Sequence, residues 1–263
     1  MIQLLLGFLL AFLVAFLAYR VRSLSRSGAL TAWLEGTIIF GLGGLPWAVL
    51  LLTFFISSSL LTRLFAKRKA PLNEKFDKGG RRDIGQVLAN GGVAALFAGL
   101  HFFFPHAAWT WMGFAGSLAA VNADTWATEL GVLNPTRPRL FTSLAPVEQG
   151  TSGAISVYGT LSAVGGSFLI ALLGGALGPA GRFWANLELL TVAGLLGAMF
   201  DSFLGATFQA IYHCPQCDKE TEKHPLHTCG TQTVQVRGWR WLNNDMVNIC
   251  CAVVGALIGL ILI

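Results

Sequence analysis

Apolar residues in this chain fall into stretches long enough to cross a bilayer, and few folds accept that pattern. Runs of membrane-helix length, roughly 17 to 25 residues, occupy positions 2–18, 86–104, 107–130, 154–177, 189–212 and 244–263. Residues 29–64 form a longer apolar run, interrupted by the helix breakers Gly41, Gly43, Gly44 and Pro46. That cluster predicts two shorter helices joined by a tight turn. With 54% hydrophobic and 12% charged residues among 263, and a mean hydropathy of +0.62, the chain is too apolar for a soluble domain of this length. The expected fold is all-α: one integral membrane domain over residues 1–263, a polytopic bundle of about eight transmembrane helices.

Charge placement tests the count, because Lys and Arg concentrate in cytoplasmic loops. With eight spans and an exterior N-terminus, residues 20–28, 63–82, 132–151 and 213–241 are cytoplasmic and hold every Lys and Arg except Arg182. A single span over 29–64 would instead place Arg20, Arg22 and Arg26 across the membrane from the 63–82 cluster. The first run lacks a basic n-region and is followed by arginines, so it reads as a retained span and not a signal peptide. Both termini are then outside. The net charge of +5 follows from the juxtamembrane loops, which also attract anionic lipid. They carry no aromatics at a stacking spacing, so no nucleic-acid partner is expected.

Polar residues interrupt the apolar runs at specific places. Asn122, Asp124, Thr125, Thr128 and Glu129 end one of them, and acids at membrane depth are costly and functional by default. Asn122, Thr125 and Glu129 share a helical stripe, whereas Asp124 lies roughly 140° from Glu129, so the two acids need not share a ligand. Asp83, Gln86 and Asn90, at i, i+3 and i+7, line one face of the preceding helix. Asp201, Ser202 and Gln209 interrupt the seventh span. Asn244, Asp245 and Asn248 open the last. Gly150, Thr151, Ser152 and Gly153, with Ser156 beyond them, resemble a helix start that offers free N–H groups to phosphate, although an ordinary N-cap fits equally well. No Walker pattern is present, which argues against a P-loop NTPase. Glu35 is isolated within its span and receives no role.

Four helices thus direct oxygen ligands toward the cytoplasmic half. Oxygen-only side chains favour Mg²⁺, which pairs one or two carboxylates with waters and substrate phosphates. Arg81 and Arg82 are placed to meet an anionic partner or, equally, to anchor topology. In the 213–241 loop, Cys214 and Cys217 form a C-x2-C pair followed by His224, His227 and Cys229. That spacing indicates structural Zn²⁺ held by Cys214, Cys217, Cys229 and His227, the latter preferred to His224. Such a closed site braces the last two spans.

The ordered segments around Arg82 to Gly92, Ala123 to Gly131, Gly150 to Thr160, Asp201 to Gln209 and Trp241 to Asn248 resemble the signature segments of one integral membrane family. It contains the plant plastid phytyl-phosphate kinase of tocopherol synthesis, mammalian transmembrane protein 19 and many prokaryotic members. The resemblance implies phosphoryl transfer from CTP, or another nucleoside triphosphate, to a membrane-embedded prenyl monophosphate such as phytyl or geranylgeranyl phosphate, giving the diphosphate; the expected location is the plasma (inner) membrane of a prokaryote, with the active site facing the cytoplasm. A phosphate monoester has a second pKa of about 6, so the acceptor needs no base. On this reading Asp124, Asp201 and Asp245 hold Mg²⁺, and Asn90, Asn244 and Asn248 orient phosphate or metal-bound water. Glu129 supports them. Gly150 to Gly153 cradle phosphate, and Arg81 and Arg82 neutralise the nucleotide. Asp83, Gln86, Ser156, Ser202 and Gln209 complete the expected substrate contacts. The competing readings are an ion-coupled transporter, a prenyl-alcohol kinase and a lipid cytidylyltransferase.

Overall fold

A computed structural model describes residues 2–179 and 181–261. In chain order its helices are α1 (Ile2–Arg20), α2 (Arg26–Gly43), α3 (Leu45–Leu64), the single turn α4 (Ala66–Lys69), α5 (Ile84–Phe103), α6 (Ala108–Gly131), α7 (Val157–Leu177), α8 (Phe183–Thr207) and α9 (Asn244–Ile261). All except α4 have 18 to 25 residues, about 27 to 38 Å at 1.5 Å per residue, which matches a hydrocarbon core of about 30 Å. Six are long and apolar enough to cross a membrane, and α2 and α6 are the two long helices outside that set.

The break inside 29–64 comes at Gly44, which ends α2 and begins α3. Its φ of 84° suits glycine and strains an L side chain, and a proline enters the first turn of α3.

The centre of the bundle is α6, packed against α3, α5, α7, α8 and α9. Every residue from Thr110 to Ala123 is buried. A helix enclosed by other helices does not meet lipid, which explains how α6 tolerates polar residues. Small residues bring the neighbours close: a Cβ on Gly166 would lie 2.9 Å from the Asn122 carbonyl oxygen, and one on Gly197 would lie 2.9 Å from that of Cys251. Asn122 is fully buried and knits three helices. Its Oδ1 accepts from Ser57 and Ser58 on α3, both at 3.2 Å, and its Nδ2 donates to Gly166 O on α7 at 2.7 Å. By contrast α1 packs chiefly on α2 and exposes Leu5, Leu9, Phe12, Leu13 and Leu17, as a lipid-facing outer helix does.

Two helix boundaries differ from expectation. The run expected over 154–177 starts as a helix only at Val157, because Ser156 is the N-cap and accepts from Gly159 N at 3.1 Å. Residues Ala154–Ile155 instead form β2, antiparallel to β1 (Arg139–Leu140). The run expected over 189–212 is α8, starting six residues earlier and ending at Thr207, because Ile211–Cys214 is drawn into a sheet as β3. That sheet, in the order β4 (Lys219–Thr221), β3, β5 (Val234–Arg237), is antiparallel throughout and occupies the connection between α8 and α9. The last two positions of the run expected over 244–263 lie outside the described residues.

Candidate functional site

At the end of the bundle that carries the basic loops, a cavity of about 420 Å³ opens among α3, α5, α6, α7, α8, α9 and the connections that cover them. Six carboxylates line it, from Asp77, Asp124, Glu129, Asp201, Glu222 and Asp245, against the three cations of Lys69, Lys78 and Arg82. An excess of acid in a confined space favours bound cations, which in turn recruit anionic ligands.

The deepest acids come from α6 and α8. Asp124 and Asp201 are close neighbours there, and the Asp201 Oδ2 atom is buried without a hydrogen-bond partner. Two facing carboxylates repel unless a cation or a proton lies between them. The geometry therefore fits a hard cation with oxygen ligands. Glu129, farther along α6, lines the same cavity but is already paired. Its Oε1 accepts from Thr62 on α3 at 2.8 Å and from Lys69 Nζ at 3.0 Å.

Nearer the mouth, Lys78 joins Asp83 at 3.0 Å and also binds Asp245 at the start of α9. Asp83 caps α5 in a reciprocal box with Gln86. Burial pushes its carboxyl up, but the Gln86 N–H and Lys78 outweigh that, and its pKa falls below the usual range. The Arg82 guanidinium lies over the Phe54 and Phe55 rings, at 5.3 and 5.7 Å, and takes part in none of the ion pairs among the described residues. Burial pushes its pKa down to about 10, which leaves it a cation at neutral pH, with donors free for an anion.

Across the cavity, Gly150 and Gly153 have φ of 79° and 75°. A Cβ on Gly153 would collide with the backbone at Ala206, so this turn seats directly on the end of α8. It lies before β2 and not at the start of α7, and it therefore does not present the α7 N-terminus. Ser152 Oγ donates to Gln209 Oε1 at 2.6 Å, and Gln209 Nε2 donates to Glu222 Oε1 at 2.9 Å. Glu222 Oε2 accepts from Asp77 N at 3.3 Å. Burial pushes the Glu222 carboxyl up to about 7.

The sheet beyond α8 carries a second cluster. Ligand atoms of Cys214, Cys217, His227 and Cys229 all lie within 4.8 Å of one another, with Cys214 Sγ to Cys229 Sγ at 3.5 Å and His227 Nδ1 to Cys229 Sγ at 3.3 Å. Hydrogen bonds from Thr231 and His227 lower the Cys229 thiol to about 6, which favours the thiolate that binds metal. Three sulfurs and one imidazole nitrogen match the ligand set of a tetrahedral zinc site. His224 is apart, stacked on Tyr212 with ring centroids 4.4 Å apart.

A family model described as integral membrane protein DUF92 matches residues 9–256. The chain belongs to this DUF92 family. It is 31% identical to an uncharacterized membrane protein of Methanocaldococcus jannaschii, over all of this chain and 95% of that one. Protein PGR of Arabidopsis thaliana is 33% identical over 88% of this chain and 86% of its own. The chloroplastic protein VTE6 of the same plant is 26% identical over 92% of this chain and 66% of its own. No solved structure matches.

In this DUF92 chain the cavity gathers Asn90, Asp124, Glu129, Asp201, Asn244, Asp245 and Asn248, and with them Arg82, Gln86, Gly150, Thr151, Ser152, Gly153, Ser156, Ser202 and Gln209. Arg81 and Asp83 are not in its lining. The Arg81 guanidinium turns away to donate to Leu24 O at 2.9 Å and to lie over the Tyr19 ring. Asp83 is occupied with its cap. Lys69, Lys78, Asp77 and Glu222 line the cavity without having been singled out in the sequence. They lie in charged loops where one ionised residue resembles the next, and only the fold distinguishes them.

Proposed function

We propose that the chain is a prenyl-phosphate kinase that moves the terminal phosphoryl group of CTP, or another nucleoside triphosphate, onto a membrane-embedded prenyl monophosphate. The observation that carries this reading is the facing pair Asp124 and Asp201, deep in a cavity that Lys69, Lys78 and Arg82 also line. The resemblance to the family of the plant plastid phytyl-phosphate kinase supports the substrate class. On this reading the bond from the terminal phosphorus to its bridging oxygen breaks, a bond to an acceptor phosphate oxygen forms, and the nucleoside diphosphate leaves. No residue has to take a proton, because the acceptor is already ionised.

What remains for the protein is alignment and charge neutralisation. Asp124 and Asp201 would hold Mg²⁺, which when bound neutralises charge on the phosphates. Asp245 adds a carboxylate at the cavity mouth. Arg82, with no carboxylate partner, and Lys78 would bind the nucleotide. Asn90, Asn244 and Asn248 would orient phosphate oxygens beside the backbone turn at 150–153. The four-ligand Cys/His cluster would hold a structural Zn²⁺ in the 213–241 loop. The archaeal and cyanobacterial relatives support a prokaryotic plasma membrane, and the clustering of Lys and Arg supports a cavity that faces the cytoplasm.

The test is to supply purified protein with phytyl or geranylgeranyl monophosphate, CTP and Mg²⁺, and to analyse the lipid product. Appearance of the diphosphate with stoichiometric CDP is expected. A CDP-lipid, or no product with any nucleotide or chain length, would sink the proposal.

A further inference from the structure

The Cys/His cluster sits outside the cavity, yet Glu222, the residue that follows the strand pair it anchors, lines that cavity. Cys214 ends β3, pairs with Lys219 at the start of β4, and is joined to it by a turn that contains Cys217. The residues after that turn grip the segment carrying the cavity's lysines. Thr221 Oγ1 donates to Glu74 O at 2.7 Å, and Glu222 N donates to Lys75 O at 2.8 Å. Lys219 Nζ pairs with Glu74 at 2.9 Å, and Lys223 Nζ donates to Asp77 O at 3.2 Å. Glu222 adds its side chain, one oxygen taking the Asp77 N–H and the other the Gln209 amide. Residues 74–77 lie between Lys69 and Lys78 in the chain, and Lys75 N also donates to Leu72 O at 2.9 Å. The sheet that the cysteines close thus holds residues 74–77 through backbone and side chain, beside the Lys75 pair with Glu148 at 2.7 Å and the Lys78 pairs with Asp83 and Asp245.

Resting on the kinase reading, we infer that metal occupancy of the Cys214, Cys217, His227, Cys229 cluster sets the position of the 66–83 segment in the cavity, with Glu222 as the positioning residue that transmits it. The cluster is then more than a brace between α8 and α9. It holds one wall of the substrate site.

Hydrogen–deuterium exchange on purified protein decides the matter without requiring turnover. Stripping the metal with a chelator should speed exchange across 66–83 by at least about tenfold and leave α5 and α6 unchanged. Glu222→Gln, which loses one of the two acceptor oxygens, should speed exchange at 74–78 while retaining a full complement of zinc. Where CTP is turned over, the same variant should raise KM for CTP several-fold with little change in kcat. Unchanged exchange over 66–83 after stripping overturns the coupling, as does a rise spread through the whole bundle. A rise on stripping that Glu222→Gln fails to reproduce removes Glu222 as the link. If no nucleotide is consumed at all, the kinase reading fails, while the exchange result still stands or falls by itself.

Discussion

Burying two carboxylates in contact is a cost that only a ligand or a proton recovers. The Asp124 and Asp201 pair is therefore a place where function and stability pull apart. Asp124→Asn removes the repulsion and keeps the shape. Its melting temperature in detergent, followed by differential scanning fluorimetry, should equal or exceed that of the wild type. Its transfer rate should fall at least about 100-fold, since even groups behind a metal ligand cost about 10 to 100-fold when replaced. A variant that keeps its activity removes Asp124 from the metal site. Lys69 and Glu129 behave in the opposite way. Their side chains are 16% and 6% exposed, and Lys69→Met would leave a buried carboxylate held only by Thr62. Breaking a buried pair costs on the order of 3 kcal/mol, so the melting temperature should drop measurably, and Glu129→Gln in the same background should recover part of the loss. The membrane acids Asp124 and Asp201 were legible in the sequence because a carboxylate stands out in an apolar run. Lys78 and Glu222 were not, because in a charged loop only tertiary contacts tell one ionised group from the next.

Helix ends carry the same lesson. The break at Gly44 could be read directly, since a glycine cluster before proline has few other uses in an apolar run. The end of α8 could not, because residues 208–212 are apolar apart from Gln209 and only pairing with β4 and β5 makes a strand of Ile211–Cys214. The start of α5 is the cleanest element-scale test. Asp83 caps it, and its folded pKa is lowered, so the unfolded chain binds the proton more readily. The stability it contributes is present above the unfolded carboxylate pKa and is lost as the pH falls through the folded value. Asp83→Asn keeps an acceptor for the Gln86 N–H and loses the charge, so it should flatten the acid limb of the melting curve. Asp83→Ala loses the cap as well and should cost about 1 kcal/mol at neutral pH. Melting temperatures of the three proteins across the acid range check both statements, and an unchanged acid limb in Asp83→Asn would assign the loss to other carboxylates.

At the scale of the whole molecule, one asymmetry orders the bundle. Lys and Arg gather at the end where the cavity opens, and Arg182 stands alone at the other. Eight of the described helices have 18 to 25 residues, six of them apolar enough to cross a membrane, and an even number of crossings is the arrangement that keeps all the basic loops together. A polytopic helical bundle was legible in the run lengths, but not that α6 occupies the centre, because central burial depends on which small residues meet which neighbours. The central position explains the chemistry: α6 can carry Asp124 and Glu129 because α3, α5, α7, α8 and α9 shield it from lipid. If the cavity faces the cytoplasm, a membrane-impermeant maleimide applied to intact cells should label Arg182→Cys and spare Arg137→Cys, and inverted vesicles should reverse the pattern. The parent protein with its five native cysteines is labelled in parallel, and the signal gained by each substitution over that background is read. Labelling of Arg137→Cys from outside would turn the molecule over and place the cavity where no cytoplasmic nucleotide reaches it, so this experiment bears on the proposed reaction as directly as an assay of its product.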